Sequence, residues 1–139
     1  MFSDPISAYK QVGIESEIRG ADPHRLIVLL FDAAEAALSR AKEQIADKDI
    51  AGKSDSINKA IAIIIEGLSA SLNREQGGEL AERLAALYAY MVSRLIHANI
   101  HLDIPAIEEV EHLLGEISGA WRQIRPQVCG VQDSGTNAP

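Results

Sequence analysis

The sequence is short of the residues from which several classes of protein are built. Its single cysteine, Cys129, cannot form a disulfide within the chain, which agrees with a reducing compartment. No apolar run approaches the roughly 18 residues of a membrane span, so we expect no membrane insertion. The first residues also lack the basic and then apolar pattern of a secretion signal. These absences together predict a cytoplasmic protein.

Positive charge and aromatic rings are scarce as well. The chain has 13 lysine and arginine residues against 20 aspartate and glutamate residues, a net charge of −7, and only 4% aromatic residues. A negative protein repels phosphate backbones, and few rings are present on which bases could stack. We therefore predict that the chain does not bind nucleic acid.

Metal-binding patterns are incomplete. Glu109 and His112 have the Glu-x-x-His spacing of di-iron bundles, but those sites need two such motifs and further glutamates. His97 and His101 are four residues apart and have no third ligand nearby. We expect these three histidines on solvated faces, and His24, in the first turn after a proline, as a capping or surface residue.

Catalytic patterns are missing too. Ser69 and Ser71 have no histidine in local register, and no glycine-rich loop suited to phosphate occurs. The sequence predicts no catalytic site, metal or cofactor. We therefore predict that the protein is not an enzyme. A metal-dependent bundle enzyme is the weaker alternative.

Helical periodicity is the main positive signal in these 139 residues, which we interpret as one domain. Asp22 and Pro23 predict a cap and first turn for a helix reaching Ala46, and the turn 47–52 separates it from a second helix at 53–72. Residues 73–78, with two glycines, predict a break before a third helix of about 25 residues. Asp103 is expected to cap a fourth helix.

The predicted fold is all-α. Helices of this length joined by short loops must run antiparallel, so we expect an up-down-up-down four-helix bundle. The apolar seam of its third helix includes Leu80, Leu84 and Leu102, and the seam of its fourth helix includes Ile117 and Trp121. A short N-terminal helical arm (1–20) precedes the bundle (21–126), and a disordered tail (127–139) follows it.

The second helix has more apolar surface than a bundle needs. Ile57, Ile61, Ile64 and Leu68 form one stripe, and Ile65 helps to widen the apolar arc to about 200°, whereas packing needs little more than about 100°. The surplus predicts a surface kept for a partner. The alternative is a structural bundle that forms a homodimer and buries this surface against a second copy.

Polar and aromatic residues beside the seams extend this surface. Asn58 and Asn99 flank the second and third helices, and either they pair with each other or one amide binds the backbone of a partner. Tyr88 and Val92 widen the apolar arc of the third helix. The predicted partner-binding set, which includes two residues of the arm, is Ile6, Tyr9, Asn58, Ile61, Ile65, Leu68, Tyr88, Val92, Leu95 and Asn99.

A family resemblance runs in order through about residues 5–125. The pieces that carry it are Ala8-Tyr9, Ile14-Glu15-Ser16, the run 21–27, Leu30-Phe31-Asp32, the run 49–53, the run 57–60, Gly67-Leu68, Leu72-Asn73, Gly77-Gly78, Leu87-Tyr88, Tyr90-Met91, Leu95, Ala98-Asn99, Glu109-Val110 and Ala120-Trp121. Their order and spacing resemble the FliS family of bacterial flagellar secretion chaperones. Ala33 departs from the glycine that is common in the family.

The resemblance implies a cytoplasmic export chaperone that uses no ATP. Such a protein binds the disordered C-terminal segment of flagellin in hydrophobic grooves, prevents premature polymerisation and assists delivery to the flagellar type III export apparatus. It also implies that the arm can cover part of the grooves when they are empty. Direct binding of the export-gate protein FlhA or the assembly factor FliW stays open.

Overall fold

The computed structural model describes residues 22–123, which form four packed helices and contain no strand. α1 spans Pro23–Ala46, and α2 spans Ile50–Ala62 and continues directly into a π-helix at Ile63–Ser69. α3 spans Arg74–His101 and α4 spans Ile104–Gln123. The predicted all-α, four-helix fold is therefore confirmed. The predicted arm and tail, and both domain boundaries, lie outside the described residues and stay predictions.

Each helix begins at a short polar side chain that accepts a hydrogen bond from a backbone N–H in the first turn. This arrangement satisfies one of the donors that a helix start leaves unpaired. The four bonds are Asp22–Arg25, Asp49–Gly52, Asn73–Gln76 and Asp103–Ala106, with oxygen-to-nitrogen distances of 2.7, 3.0, 3.0 and 3.2 Å. The caps predicted at Asp22 and Asp103 are confirmed.

One predicted boundary was wrong, and another was confirmed in part. The turn predicted at 47–52 is shorter: Asp49 caps α2, which begins at Ile50 and contains Gly52. The break predicted at 73–78 is confirmed in part: the chain is helical from Arg74, but Gly78 interrupts the helix as a kink, with φ 55° and ψ −129°.

Consecutive helices run antiparallel and close into a ring. α1 packs on α2 and α4, and α3 also packs on α2 and α4. His24, at the start of α1, contacts Trp121 near the end of α4, whereas Lys42 near the end of α1 lies 2.8 Å from Glu111 in the first half of α4. The predicted up-down-up-down order follows from these contacts.

The core is apolar and lies along the inside of the ring. Its largest fully buried apolar side chains are Phe31, Leu30, Leu38, Ile57, Ile63, Ile64, Met91, Leu95, Ile107 and Leu114. Two members of the predicted seam of α3 are instead exposed, because they lie at its ends: Leu80 is 66% exposed, and Leu102 follows the helix in a left-handed conformation. No helix within residues 22–123 has the length and apolar character of a membrane span.

Gly67 of the π-helix packs directly against the Leu30 side chain of α1. A Cβ atom at Gly67 would lie 2.9 Å from Leu30 Cδ2, so only glycine fits there without movement. Short π-helical segments occur often at functional sites. This segment contributes residues to both surface grooves described next, and the sequence pattern did not predict it.

Candidate functional site

A groove of about 720 Å³ lies at the end of the bundle where α1 begins and α4 ends. We call it the large groove; the π-helix end, the following turn and the first turns of α3 complete it. Its lining residues are Ile27, Phe31, Leu68, Ser71, Leu72, Asn73, Gln76, Gly77, Leu80, Ala81, Leu84, Tyr88, Glu116, Ile117, Ala120 and Trp121. Glu116 is the one charged residue among them, so the groove suits apolar and uncharged ligand groups.

Trp121 is held as one wall of the large groove by His24. The two rings stack with centroids 4.7 Å apart and planes 5° from parallel. Trp121 Nε1 donates to the His24 carbonyl oxygen at 3.2 Å, and His24 Nε2 donates to the Trp121 carbonyl oxygen at 2.8 Å. The prediction that His24 is a capping or surface residue was wrong, because the Trp121 ring covers it and leaves 1% of it exposed.

A second groove of about 310 Å³ lies between the π-helix and α3. We call it the small groove; its lining residues are Ile64, Ile65, Ser69, Ala85, Tyr88, Ala89 and Val92. None of them is charged, and Ile65 is 48% exposed. The surplus apolar surface predicted for the second helix is therefore open at Ile65.

Tyr88 lines both grooves and separates them. Only 4% of this residue is exposed, and burial raises its pKa to about 12. The phenol therefore stays protonated, and can donate a hydrogen bond, throughout the physiological pH range.

Comparison with known proteins identifies the family of this chain. The sequence model of the family described as "Flagellar protein FliS" matches residues 5–128. The chain belongs to the FliS family.

Similar FliS proteins occur in several bacteria. The chain is 49% identical over 122 residues to the flagellar secretion chaperone FliS of Salmonella typhimurium, covering 88% of this chain and 90% of that protein. It is 45% identical over 126 residues to the protein of the same name in Escherichia coli, covering 91% and 93%. Identity to the Bacillus subtilis protein is 32% over 120 residues, covering 86% and 85%. All three relatives are named flagellar secretion chaperones.

The structure places the predicted partner-binding residues of this FliS chain in different settings. Ile65 and Val92 line the small groove, Leu68 lines the large groove, and Tyr88 lines both. Whether these residues bind a partner stays a prediction.

Other residues of that set lie away from the grooves. Ile61 is partly buried against the core, and Leu95 is fully buried in it, so Leu95 offers no surface to a partner in this conformation. Ile6 and Tyr9 lie outside the described residues.

The proposed pairing of Asn58 with Asn99 was wrong. Asn99 instead accepts hydrogen bonds from two other residues of α2. Its Oδ1 accepts from Lys53 Nζ at 2.6 Å and from Ser54 Oγ at 3.2 Å. Lys53 Nζ also donates to the Asn99 carbonyl oxygen at 2.8 Å, and the lysine is buried. This ammonium satisfies a carbonyl in the last turn of α3, where positive charge is favourable. Asn58 is exposed and free to meet a partner.

Sequence reasoning missed most of the large groove. Leu80, Leu84, Ile117 and Trp121 were assigned to helix seams, where periodicity places them. The available signal was that these bulky residues lie at helix ends, next to small ones such as Ala81. In this bundle these side chains line an open groove and do not fill the core.

A polar face lies where α3 and α4 meet. Tyr90 Oη and Arg94 Nε both donate to the Glu109 carboxylate, the arginine at 2.8 Å, and these bonds lower the pKa of Glu109. His97 Nε2 lies 3.1 Å from Asp103, and His112 lies 3.1 Å from Glu116. Residues 22–123 contain no group of three histidine, cysteine or acidic side chains close enough to hold a metal ion.

We predict that replacing His97, His101 and His112 together by alanine changes little in the stability of the bundle or in its binding of a flagellin C-terminal peptide. All three side chains are partly or fully exposed, and exposed ion pairs contribute at most about 1 kcal/mol. Thermal unfolding and a binding titration check this. A loss of bound zinc or iron in the variant, seen by elemental analysis, would contradict it.

Proposed function

We propose that this chain is a cytoplasmic export chaperone for flagellin. In this proposal it binds the C-terminal segment of flagellin in the large and small grooves, prevents premature polymerisation and assists delivery to the flagellar type III export apparatus. The observation that carries the proposal is the large groove, which is open, apolar and about 720 Å³ in volume, in a chain of the FliS family.

The two grooves suit a client that orders when it binds. Such a segment typically buries about 1,000–3,000 Å² and loses roughly 2–5 kcal/mol to ordering, so it needs a long apolar surface. Two adjacent grooves supply more contact than either alone, and an amphipathic helix or an extended apolar segment fits this geometry. The net charge of −7 keeps the empty protein soluble and favours neutral or basic clients.

The direct test is a titration with a fluorescently labelled peptide of the flagellin C-terminal segment. We expect saturable binding at one peptide per chain, and no binding of a scrambled peptide of the same composition. In a second assay, equimolar chaperone should suppress the light scattering that accompanies flagellin polymerisation. Equal binding of both peptides, or unchanged polymerisation, would contradict the proposal.

The homodimer is the competing interpretation of the same apolar surface. Light scattering of the full chain without client separates the two, because a client-free chaperone is expected to be mainly monomeric at low concentration. A stable dimer that does not dissociate when the peptide is added would favour the homodimer. The proposal assigns no surface to FlhA or FliW.

The N-terminal arm is proposed to compete with the client. The described chain starts at Asp22, two residues before His24, which contacts the Trp121 wall of the large groove. Asp22 therefore lies near this groove. In the sequence that precedes it, Ile6, Tyr9 and Val12 recur at a spacing of three that one helical turn can present together. A groove closed for part of the time lowers the apparent client affinity by that fraction.

We predict that deleting residues 1–12 speeds client association. Stopped-flow mixing of the labelled peptide with the full and shortened chains measures both rates. If the arm instead clamps the client, the deletion speeds dissociation, and unchanged association and dissociation rates would show that the arm does neither.

A further inference from the structure

Tyr88 occupies an unusual position for a polar residue, between two apolar grooves. It lies on α3, and the π-helix contributes to the grooves on either side of it: Leu68 lines the large groove, and Ile65 lines the small one. Only 4% of Tyr88 is exposed. A tyrosine hydroxyl can donate and accept a hydrogen bond, so the partner of this one is worth identifying.

The Tyr88 hydroxyl has no hydrogen-bond partner within residues 22–123. Tyr90, two residues further along α3, provides a comparison, since its hydroxyl donates to the Glu109 carboxylate on the other side of the helix. The raised pKa of Tyr88 comes from burial alone, whereas a hydrogen bond to Glu109 is the largest cause of the raised pKa of Tyr90. The Tyr88 side chain thus brings a donor to the two grooves without an acceptor from the described chain.

The surroundings restrict the acceptor that a ligand could bring. The small groove contains no charged residue, and the one charged residue of the large groove is the carboxylate of Glu116, which disfavours a second carboxylate. A neutral peptide oxygen fits both conditions. A helical segment offers such oxygens at its last four carbonyls, and an extended segment offers them along its length.

We propose that the Tyr88 hydroxyl donates a hydrogen bond to a neutral backbone or amide oxygen of the bound client and thereby fixes the register of the client in the grooves. This inference rests on the proposed function, because the client is the flagellin C-terminal segment. Apolar contacts alone tolerate sliding of a segment along a groove, whereas one buried directional bond favours a single position.

The test is Tyr88→Phe in the full-length chain, with Tyr90→Phe as the matched control. Both changes remove one hydroxyl from α3 and keep the ring, but Tyr90 faces Glu109 and lines neither groove. We expect Tyr88→Phe to weaken binding of the flagellin C-terminal peptide by about threefold to tenfold, the size of one net hydrogen bond. Tyr90→Phe should bind like wild type, and Tyr88→Phe should unfold no earlier than wild type.

A register measurement complements the affinity. Ser69→Cys places a thiol in the lining of the small groove, in a chain whose Cys129 is replaced by serine. Peptides with one cysteine at successive positions are then oxidised against this chain. We expect disulfide formation to centre on one peptide position with Tyr88 and to spread over neighbouring positions with Tyr88→Phe.

The outcomes separate the inference from the function on which it rests. If wild type does not bind the flagellin peptide, both are contradicted. If wild type binds, but Tyr88→Phe keeps wild-type affinity and an unchanged crosslinking pattern, the inference alone is wrong. Equal losses in Tyr88→Phe and Tyr90→Phe would also contradict it, because they would show no special role for the donor between the grooves.

Discussion

Aspartate at Leu80 or at Ile65 is expected to reduce affinity for the flagellin C-terminal segment by about 10- to 100-fold while leaving the bundle folded. Leu80 is 66% exposed in the large groove and Ile65 is 48% exposed in the small groove, so a charge at either position stays hydrated in the free protein. Binding would have to cover that charge, and the apolar contact, worth up to about 1.5–3 kcal/mol for a whole buried side chain, would be lost.

Ile100→Asp is the matched control for these two variants. Ile100 is 70% exposed on α3 and lines neither groove, so the same kind of substitution there should leave peptide affinity unchanged. Circular dichroism establishes that each variant is folded, and the peptide titration gives the affinity. Wild-type affinity of the folded Leu80 variant would exclude the large groove as a client site, and the Ile65 variant tests the small groove in the same way.

The fold could be predicted because it depends on local signals. The repeat of apolar residues predicts four helices, and the short loops between them require that they run antiparallel. Asp22 and Asp103 capped the helices that they were predicted to cap. The exposed position of Ile65 could also be predicted, since the apolar arc of the second helix was wider than its packing required.

Features that depend on distant parts of the chain could not be predicted in this way. His24 is buried because Trp121, from the opposite end of the bundle sequence, stacks on it. Lys53 is buried because the last turn of α3 offers it two oxygens of Asn99. Helical periodicity reports which face of a helix is apolar, but it does not report which residue of another helix meets that face.

The large groove was missed for a related reason. A seam residue in the middle of a helix meets side chains of neighbouring helices, whereas one near a helix end, such as Leu80, can extend beyond them. Periodicity gives both the same assignment. The kink at Gly78 and the close approach of Gly67 to Leu30 also shape this end of the bundle, and both are backbone effects that the apolar pattern does not contain.

Trp121→Ala is expected to lower the free energy of unfolding by about 2–4 kcal/mol in the absence of client. Truncating a large aromatic side chain in a core typically costs about 3–5 kcal/mol, and Trp121 is partly exposed, which reduces the figure. The variant would lose the stack on His24 and the 3.2 Å bond from Nε1 to the His24 carbonyl oxygen, and it would uncover the histidine ring. These contacts hold the start of α1 against the end of α4.

Trp121→Phe separates the ring from the hydrogen bond in the same experiment. Phenylalanine keeps an aromatic surface against His24 but has no N–H donor, so its expected loss is nearer the ~1 kcal/mol of one hydrogen bond. Urea unfolding is best followed by circular dichroism, because Trp121 is the one tryptophan of the chain and its fluorescence disappears in both variants. Equal stability of Trp121→Ala and wild type would contradict the structural role of this contact. A large loss in both variants would instead attribute most of the effect to the indole N–H, since phenylalanine retains the stacked ring.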